Sequence, residues 1–244
     1  IQLLTGLSGQ AALNTAKQLP AEQVLAAAEA LYEGFYFDPL IDGTSVVRPP
    51  RESLDSGRVA SIDLLIGTNR DERLMYLDPE QKLDDWLAEN LSEPQRLAVL
   101  PLLAPFSSDS RALDVLSTAQ TYVCPSLRLA AHLSTIKKDI YVYEFNKVRP
   151  GKMAASMGAY HGAELPYVFD THDDWLPTDE DDRALTKLMQ HYWGNFIKTG
   201  NPNSSAAVPW PRYQSSTGQV LRLDQTSDAG RHASASVCQA LANH

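Results

Sequence analysis

Cysteine is scarce in this chain, with 2 in 244 residues. Cys124 and Cys238 stand far apart, with no Cys-x-x-Cys and no paired His beside either. Zinc and dithiol redox sites are built from clustered thiols, so no metal site is expected. Long apolar runs are missing as well: stretches such as Leu64, Leu65 and Ile66 fall far short of the ~20 residues that cross a bilayer, so no transmembrane segment is expected. Positive charge is in deficit, 21 Lys and Arg against 30 Asp and Glu for a net charge of −9. A phosphate backbone is repelled by such a chain, which argues against nucleic acid as a partner. No Gly-x-Gly-x-x-Gly or Walker-type loop follows a strand-like run, so a nucleotide cradle is not expected. Repeats and low-complexity segments are also absent. The chain opens at Ile1 without the layout of a signal peptide and reads as the continuation of a longer protein.

What is present is an ordinary globular composition, 43% hydrophobic and 21% charged, enough for one sizeable domain or two small ones. From Pro20 the Ala-rich run AEQVLAAAEALYEG predicts a helix ending near Gly34. Ile62 to Thr68 is a short, nearly continuous apolar run, which suits a strand buried on both faces of a parallel sheet. Between Pro79 and Lys138 the pattern is helical, in three pieces set apart by Pro94, Pro101, Pro105, the Ser107 to Asp109 cluster and Pro125. Ile140 to Phe145, β-branched and aromatic, predicts a second strand. Asp179 to Lys198 reads as a helix with Thr178 as N-cap, acidic residues in its first turn and Gly200 then Pro202 closing it. Its apolar stripe of Leu185, Leu188, Met189, Tyr192, Trp193 and Phe196 predicts packing on the sheet rather than a cofactor site. A last strand is expected over Gln219 to Leu223. Strands separated by helices give an α/β fold with a mostly parallel sheet flanked by helices, since parallel neighbours cannot be joined by a tight turn.

Chemistry in such a sheet is expected in the loops after the carboxyl ends of strands. After the first strand come Asn69, Arg70, Asp71, Glu72 and Arg73, with two adjacent carboxylates. After the second comes His161 in Gly158-Ala159-Tyr160-His161-Gly162. An acid followed by a later His is two-thirds of the Ser, Asp/Glu, His order of α/β-hydrolases, which places the nucleophile upstream. Spacing alone does not single out His161, since five other His exist (His132, His172, His191, His232 and His244) and a lone His is more often a surface or satisfied residue than a base. A Gly-x-Ser-x-Gly elbow is absent: the nearest string, Gly6-Leu7-Ser8-Gly9-Gln10, has Gln at the last position and no strand before it, and reads as loop.

Several long strings, in order, resemble the type-B carboxylesterase and cholinesterase family: DPLIDG from Asp38, GTNRDE from Gly67, YVYEF from Tyr141, HGAELPYVF from His161 and YWGNFIKTGNPN from Tyr192, followed by Trp210-Pro211. The resemblance implies that residues 1–244 are the C-terminal part of a single α/β-hydrolase domain whose N-terminal half, with the nucleophilic serine, is absent. It implies Glu72 as the triad acid and His161 as the general base, with Asp71 a structural carboxylate and Glu164 a residue that orients the loop. The carboxylate would accept the ring Nδ1 proton and stabilise the imidazolium that forms when the base takes the serine proton.

Two departures from the family pattern stand out. Arg73 occupies a place after the acid where the family usually has Gly. The serine elbow and the glycine-rich oxyanion loop belong to the missing half, so the chain by itself is not expected to turn over esters. The resemblance also implies a Cys124–Cys238 disulfide to a C-terminal helix, against two buried free thiols as the alternative. A bridge would indicate an oxidising compartment, so a secreted or periplasmic protein. The triplets at Asn90 and Asn203 fit the glycosylation pattern but carry little weight. The expected function is hydrolysis of a small-molecule carboxylic ester through an acyl-enzyme, with the missing half as partner and no metal or organic cofactor. The rival is a non-catalytic, cholinesterase-like adhesion or binding protein.

Overall fold

The computed structural model describes residues 2–31, 39–58, 62–136, 139–204 and 208–242. It divides into two compact units, residues 1–58 and 59–244. The first is helical: α1 (Gln2–Thr5), α2 (Gly9–Ala16), α3 (Ala21–Leu31) and α4 (Pro50–Asp55). Gly6 takes a positive φ and Ser8 is extended, so the Gly6 to Ser8 string turns the chain into α2 and presents no strand-to-helix elbow. The expected end of α3 near Gly34 and the start of DPLIDG at Asp38 lie outside the described residues.

The second unit carries the sheet. In chain order it contains β1 (Leu64–Asn69), α5 (Leu83–Asn90), α6 (Glu93–Leu103), α7 (Asp109–Thr118), a π-turn (Ala119–Val123), α8 (Cys124–Thr135), β2 (Ile140–Phe145), α9 (Lys152–Met157) and α10 (Leu165–Phe169). These lead into α11 (Glu180–Thr199), β3 (Gln219–Leu223), β4 (Asp228–Arg231) and α12 (Ala235–Ala242). The strand order is β1-β2-β3-β4, with β1, β2 and β3 parallel and β4 antiparallel to β3. The α/β class therefore holds. The antiparallel β4 went unforeseen, because DAGR has no alternating apolar pattern to mark it.

Alternation along β2 sends its side chains to two cores. Tyr141, Tyr143 and Phe145 meet Tyr167, Leu185, Met189, Tyr192 and Trp210 on one face, and Ile140 and Val142 meet Ala130 and Leu133 of α8 on the other. All six β2 residues are buried, whereas Leu64 to Gly67 of β1 are only partly so. The expectation that β1 is buried on both faces is thus corrected: β1 stands at one end of the sheet and pairs with β2 alone among the described residues. Gly67 lies opposite Tyr143, and a Cβ there would fall within the Tyr143 ring, which explains a glycine inside a strand.

The stripe expected on α11 packs as read, with Leu185, Met189 and Tyr192 buried and Leu188, Trp193 and Phe196 against the same cluster. Its cap differs. Asp179, not Thr178, is the N-cap, in a reciprocal box with Asp182, while the Thr178 hydroxyl accepts from the buried Arg149. A carboxylate serves both the N-terminal amides and the dipole, and wins over the hydroxyl next to it. Gly200 closes α11 at φ 74°. The prolines also punctuate less than expected. Pro94 sits in the first turn of α6 and Pro101 lies within it, near its end. Residues 109 to 135 run helical throughout, with the π-turn immediately before Pro125. A proline there cannot donate to the turn before it, and the wider π-turn accommodates the missing bond.

Candidate active site

Glu72 and His161 come together where the chain leaves the carboxyl ends of β1 and β2. β1 ends at Asn69, and the next residues form a tight turn that folds Glu72 back beneath it, so the Asn69 N–H donates to Glu72 Oε1 at 2.7 Å. His161 Nδ1 lies 2.6 Å from Glu72 Oε2. With both carboxylate oxygens acting as acceptors, the ring proton belongs on Nδ1 and the Nε2 lone pair is left free. No hydrogen bond engages Nε2 among the described residues, and the His161 side chain is 49% exposed while Glu72 is buried. Burial pushes the Glu72 carboxyl above its usual range, and the Asn69 N–H and His161 pull it part of the way back.

Asn69 joins the two loops. Its side-chain amide donates to Tyr160 O at 2.8 Å and to Glu164 Oε2 at 2.5 Å. Glu164 thus fixes the loop that carries His161 and leaves the imidazole to Glu72. Asp71 points into another set of partners: Arg70, Arg111 at 2.9 Å and the Ala159 N–H at 2.7 Å. A carboxylate so occupied is a brace between the two loops. Gly158, at φ 69°, lies against it, and a Cβ there would collide with the Asp71 carboxylate. Arg73 adopts φ −101° and ψ −15°, a right-handed conformation open to any residue, so its loop has no need of the family's glycine. Its guanidinium lies over the Tyr76 ring, 5.7 Å from the centroid.

Sequence reasoning missed the helical wall behind these loops. Asp114, fully buried on α7, accepts the Arg73 N–H at 3.0 Å, and Thr118 accepts the same N–H at 3.2 Å. Burial first, and the nearby Asp71 carboxylate second, push the Asp114 carboxyl up to about 7. Tyr122, on the π-turn, places its ring 5.3 Å from that of His161, and Tyr76 approaches it edge-on at 6.3 Å. The available signal was the spacing of Arg111, Asp114 and Thr118 on one face of α7.

The remaining histidines serve elsewhere. His232 is buried, with Nε2 3.1 Å from Thr68 Oγ1 and Nδ1 accepting the Ser234 N–H. His172 contacts the Thr186 hydroxyl and His191 the Ser204 hydroxyl. His132 lies in the last turn of α8. His244 lies outside the described residues, as does Ser205 of the Asn203 triplet. Asn203 itself is taken up by the backbone of Trp210, whose N–H and carbonyl it bonds at 2.6 and 2.9 Å. Among the described residues, no cluster of three or more His, Cys, Asp or Glu could hold a metal ion, and no helix is long and apolar enough to cross a membrane. Cys124 and Cys238 are bridged, with Cα atoms 5.3 Å apart, joining α8 to α12.

Known proteins share this arrangement of chain. Para-nitrobenzyl esterase of Bacillus subtilis is 29% identical over 242 residues, covering 92% of this chain and 48% of its own length. Human cocaine esterase is 27% identical over 222 residues, covering 79% of this chain and 39% of its own. Among solved structures, a carboxylesterase of Geobacillus stearothermophilus superposes with a TM-score of 0.77 at 23% identity, a likeness of fold. A PNB esterase superposes at 0.75 with 25% identity. Each structure covers 98% of this chain, which spans 52% of theirs. The chain thus spans about half, or less, of the length of the relatives it matches. The family model described as the carboxylesterase family matches residues 104–241, more than half of the chain, and on that match the chain belongs to the carboxylesterase family.

Proposed function

We propose that this chain is the C-terminal part of a single α/β-hydrolase domain and supplies the acid and the base of a serine esterase acting on small-molecule carboxylic esters. The observation that carries the reading is the 2.6 Å bond from His161 to the buried Glu72, with Nε2 free on a half-exposed ring. A serine from the N-terminal half would pass its proton to His161 Nε2 while its Oγ attacks the ester carbonyl. Glu72 would hold the Nδ1–H tautomer and offset the imidazolium charge. Collapse of the tetrahedral adduct would expel the alcohol, protonated by His161. Water, activated by the same nitrogen, would then release the acid from the acyl-serine. The oxyanion donors would also come from the N-terminal half. The lengths of the relatives support this split, and so does β1, an end strand of a parallel sheet with an unpaired side among the described residues. The Cys124–Cys238 bridge supports a secreted or periplasmic setting, where such bonds persist.

A fluorophosphonate that adds covalently to activated serines, read by intact mass, tests the proposal. The complete protein carrying this chain should gain one adduct, the 244-residue chain alone none, and His161→Ala should abolish labelling of the complete protein. An adduct on the chain alone would place an activated serine within it and overturn the split. A complete protein that stays unlabelled would favour the non-catalytic binding protein.

A further inference from the structure

The helix facing the Glu72 and His161 loops touches both of them from one side. Arg111, Asp114, Thr118 and Tyr122 follow one another at spacings of three, four and four, the period of a single helix face. Together they meet three parts of the site. Arg111 pairs with Asp71, whose other oxygen accepts the Ala159 N–H two residues before His161. Asp114 Oδ1 and Thr118 Oγ1 share the Arg73 N–H, the peptide that immediately follows Glu72, and the Thr118 hydroxyl donates to the same Asp114 oxygen at 3.0 Å. Tyr122 reaches the imidazole, with an interplanar angle of 35°.

Tyr122 sits within the π-turn Ala119–Val123. A π-turn adds a residue to the helical turn, and so changes the direction in which the residues after it project relative to those before it. Asp114 and Thr118 are almost completely buried and lie on the same unit as their partners. Buried polar groups are costly unless satisfied; here Asp114 Oδ1 and the Thr118 hydroxyl are spent on a single backbone amide, and Asp114 Oδ2 has no hydrogen-bond partner among the described residues.

We propose that Asp114, Thr118 and Tyr122 are positioning residues for the proton relay: Asp114 and Thr118 hold the loop that carries Glu72 through the Arg73 amide, and Tyr122 holds the plane of the His161 ring. None of them touches the reacting atoms. Their contribution would be to keep the Nδ1 to Oε2 contact short and Nε2 correctly aimed, and displacement by about 1 Å in such an arrangement costs up to about 100-fold in rate. The inference rests on the reading of Glu72 and His161 as acid and base.

The test uses the complete protein carrying this chain, with the variants Thr118→Val, Thr118→Ser, Tyr122→Leu and Tyr122→Phe. Two quantities are read: kcat and KM on 4-nitrophenyl acetate, and the downfield proton resonance of the His161 Nδ1–H, assigned by its loss in His161→Gln. Thr118→Val keeps the shape and removes both the acceptor and the donor. Tyr122→Leu keeps apolar bulk and removes the ring. Each should lower kcat about tenfold or more with KM within about twofold, and should shift or broaden the resonance. Thr118→Ser and Tyr122→Phe should restore most of both. A wild-type resonance that stays sharp and unmoved in Thr118→Val and Tyr122→Leu, with kcat unchanged, would overturn the positioning role and leave the acid and base reading intact. Absence of the resonance from the wild-type protein would overturn the Glu72 to His161 pairing, and the inference with it.

Discussion

Glu72 shows how much a single side chain decides here. Its two oxygens accept from Asn69 N–H and His161 Nδ1, so the carboxylate dictates which ring nitrogen carries the proton. Glu72→Gln keeps the size and removes that dictate, because the amide NH₂ facing the ring prefers an unprotonated Nδ1 and sends the proton to Nε2, where a base needs a lone pair. We expect kcat of the complete protein to fall about 10³- to 10⁴-fold with little change in KM, as when a triad carboxylate becomes an amide. Steady-state kinetics at saturating ester checks this, and a loss below tenfold would mean that Glu72 does not set the tautomer. Glu72 could be picked out as a candidate because it lies just beyond a recognisable strand, whereas His161 follows β2 only after α9, and the roles expected of both came from the family resemblance. Asp114 and Thr118 were not, since they act on Arg73 from 41 and 45 residues away, and no local pattern records which helix face will meet which loop.

Among the elements, legibility followed local signal. β2 and β3 ran over the expected residues because an apolar run between breakers suffices to mark a buried strand. β1 began at Leu64 rather than Ile62, with Asp63 Oδ1 accepting the Asp139 N–H just before it. The Pro residues at 94, 101 and 125 misled the segmentation, since Pro is tolerated in a first turn and the helix repaired the third site by widening. The Cys124–Cys238 pairing could be reached only through family resemblance, because nothing in the spacing of two cysteines 114 residues apart fixes their contact. That bridge anchors α12, which buries Val237 and Ala240 against the helical layer of Val99, Leu103 and Leu116 and receives Gln95 Nε2 at Leu241 O. Replacing both cysteines by Ala should destabilise the unit by about 2 to 4 kcal/mol, the typical contribution of a disulfide. Hydrogen exchange should rise first in residues 235–242 and last in β2. An unchanged denaturation midpoint would mean that packing alone holds α12.

For the folded unit as a whole, two buried groups at different places pull its stability in opposite directions with pH. Burial lowers the His232 pKa to about 4 from 6.5. Between those values the unfolded chain binds the proton and the folded one does not, so His232 makes stability rise with pH over that window, by about 3 kcal/mol in all at 1.36 kcal/mol per unit. Asp114 does the reverse. Its folded pKa of about 7 against 3.8 means that the folded state keeps a proton the unfolded chain has shed. Stability therefore falls as pH rises from about 4 to 7, by about 4 kcal/mol. The windows overlap between about pH 4 and 6.5, where the two slopes nearly cancel. Removing either group should uncover the other. Relative to wild type, His232→Gln should tilt the curve of unfolding free energy against pH downward by about 1 kcal/mol per unit between pH 4.5 and 6.5, and Asp114→Asn should tilt it upward by a similar amount. Urea denaturation at half-unit intervals measures both differences, and taking each variant against wild type removes the titrations they share. If Asp114→Asn leaves the slope where it was, the buried carboxyl is ionised in the folded protein, and the packing of α7 against the Arg73 loop is looser than its burial implies.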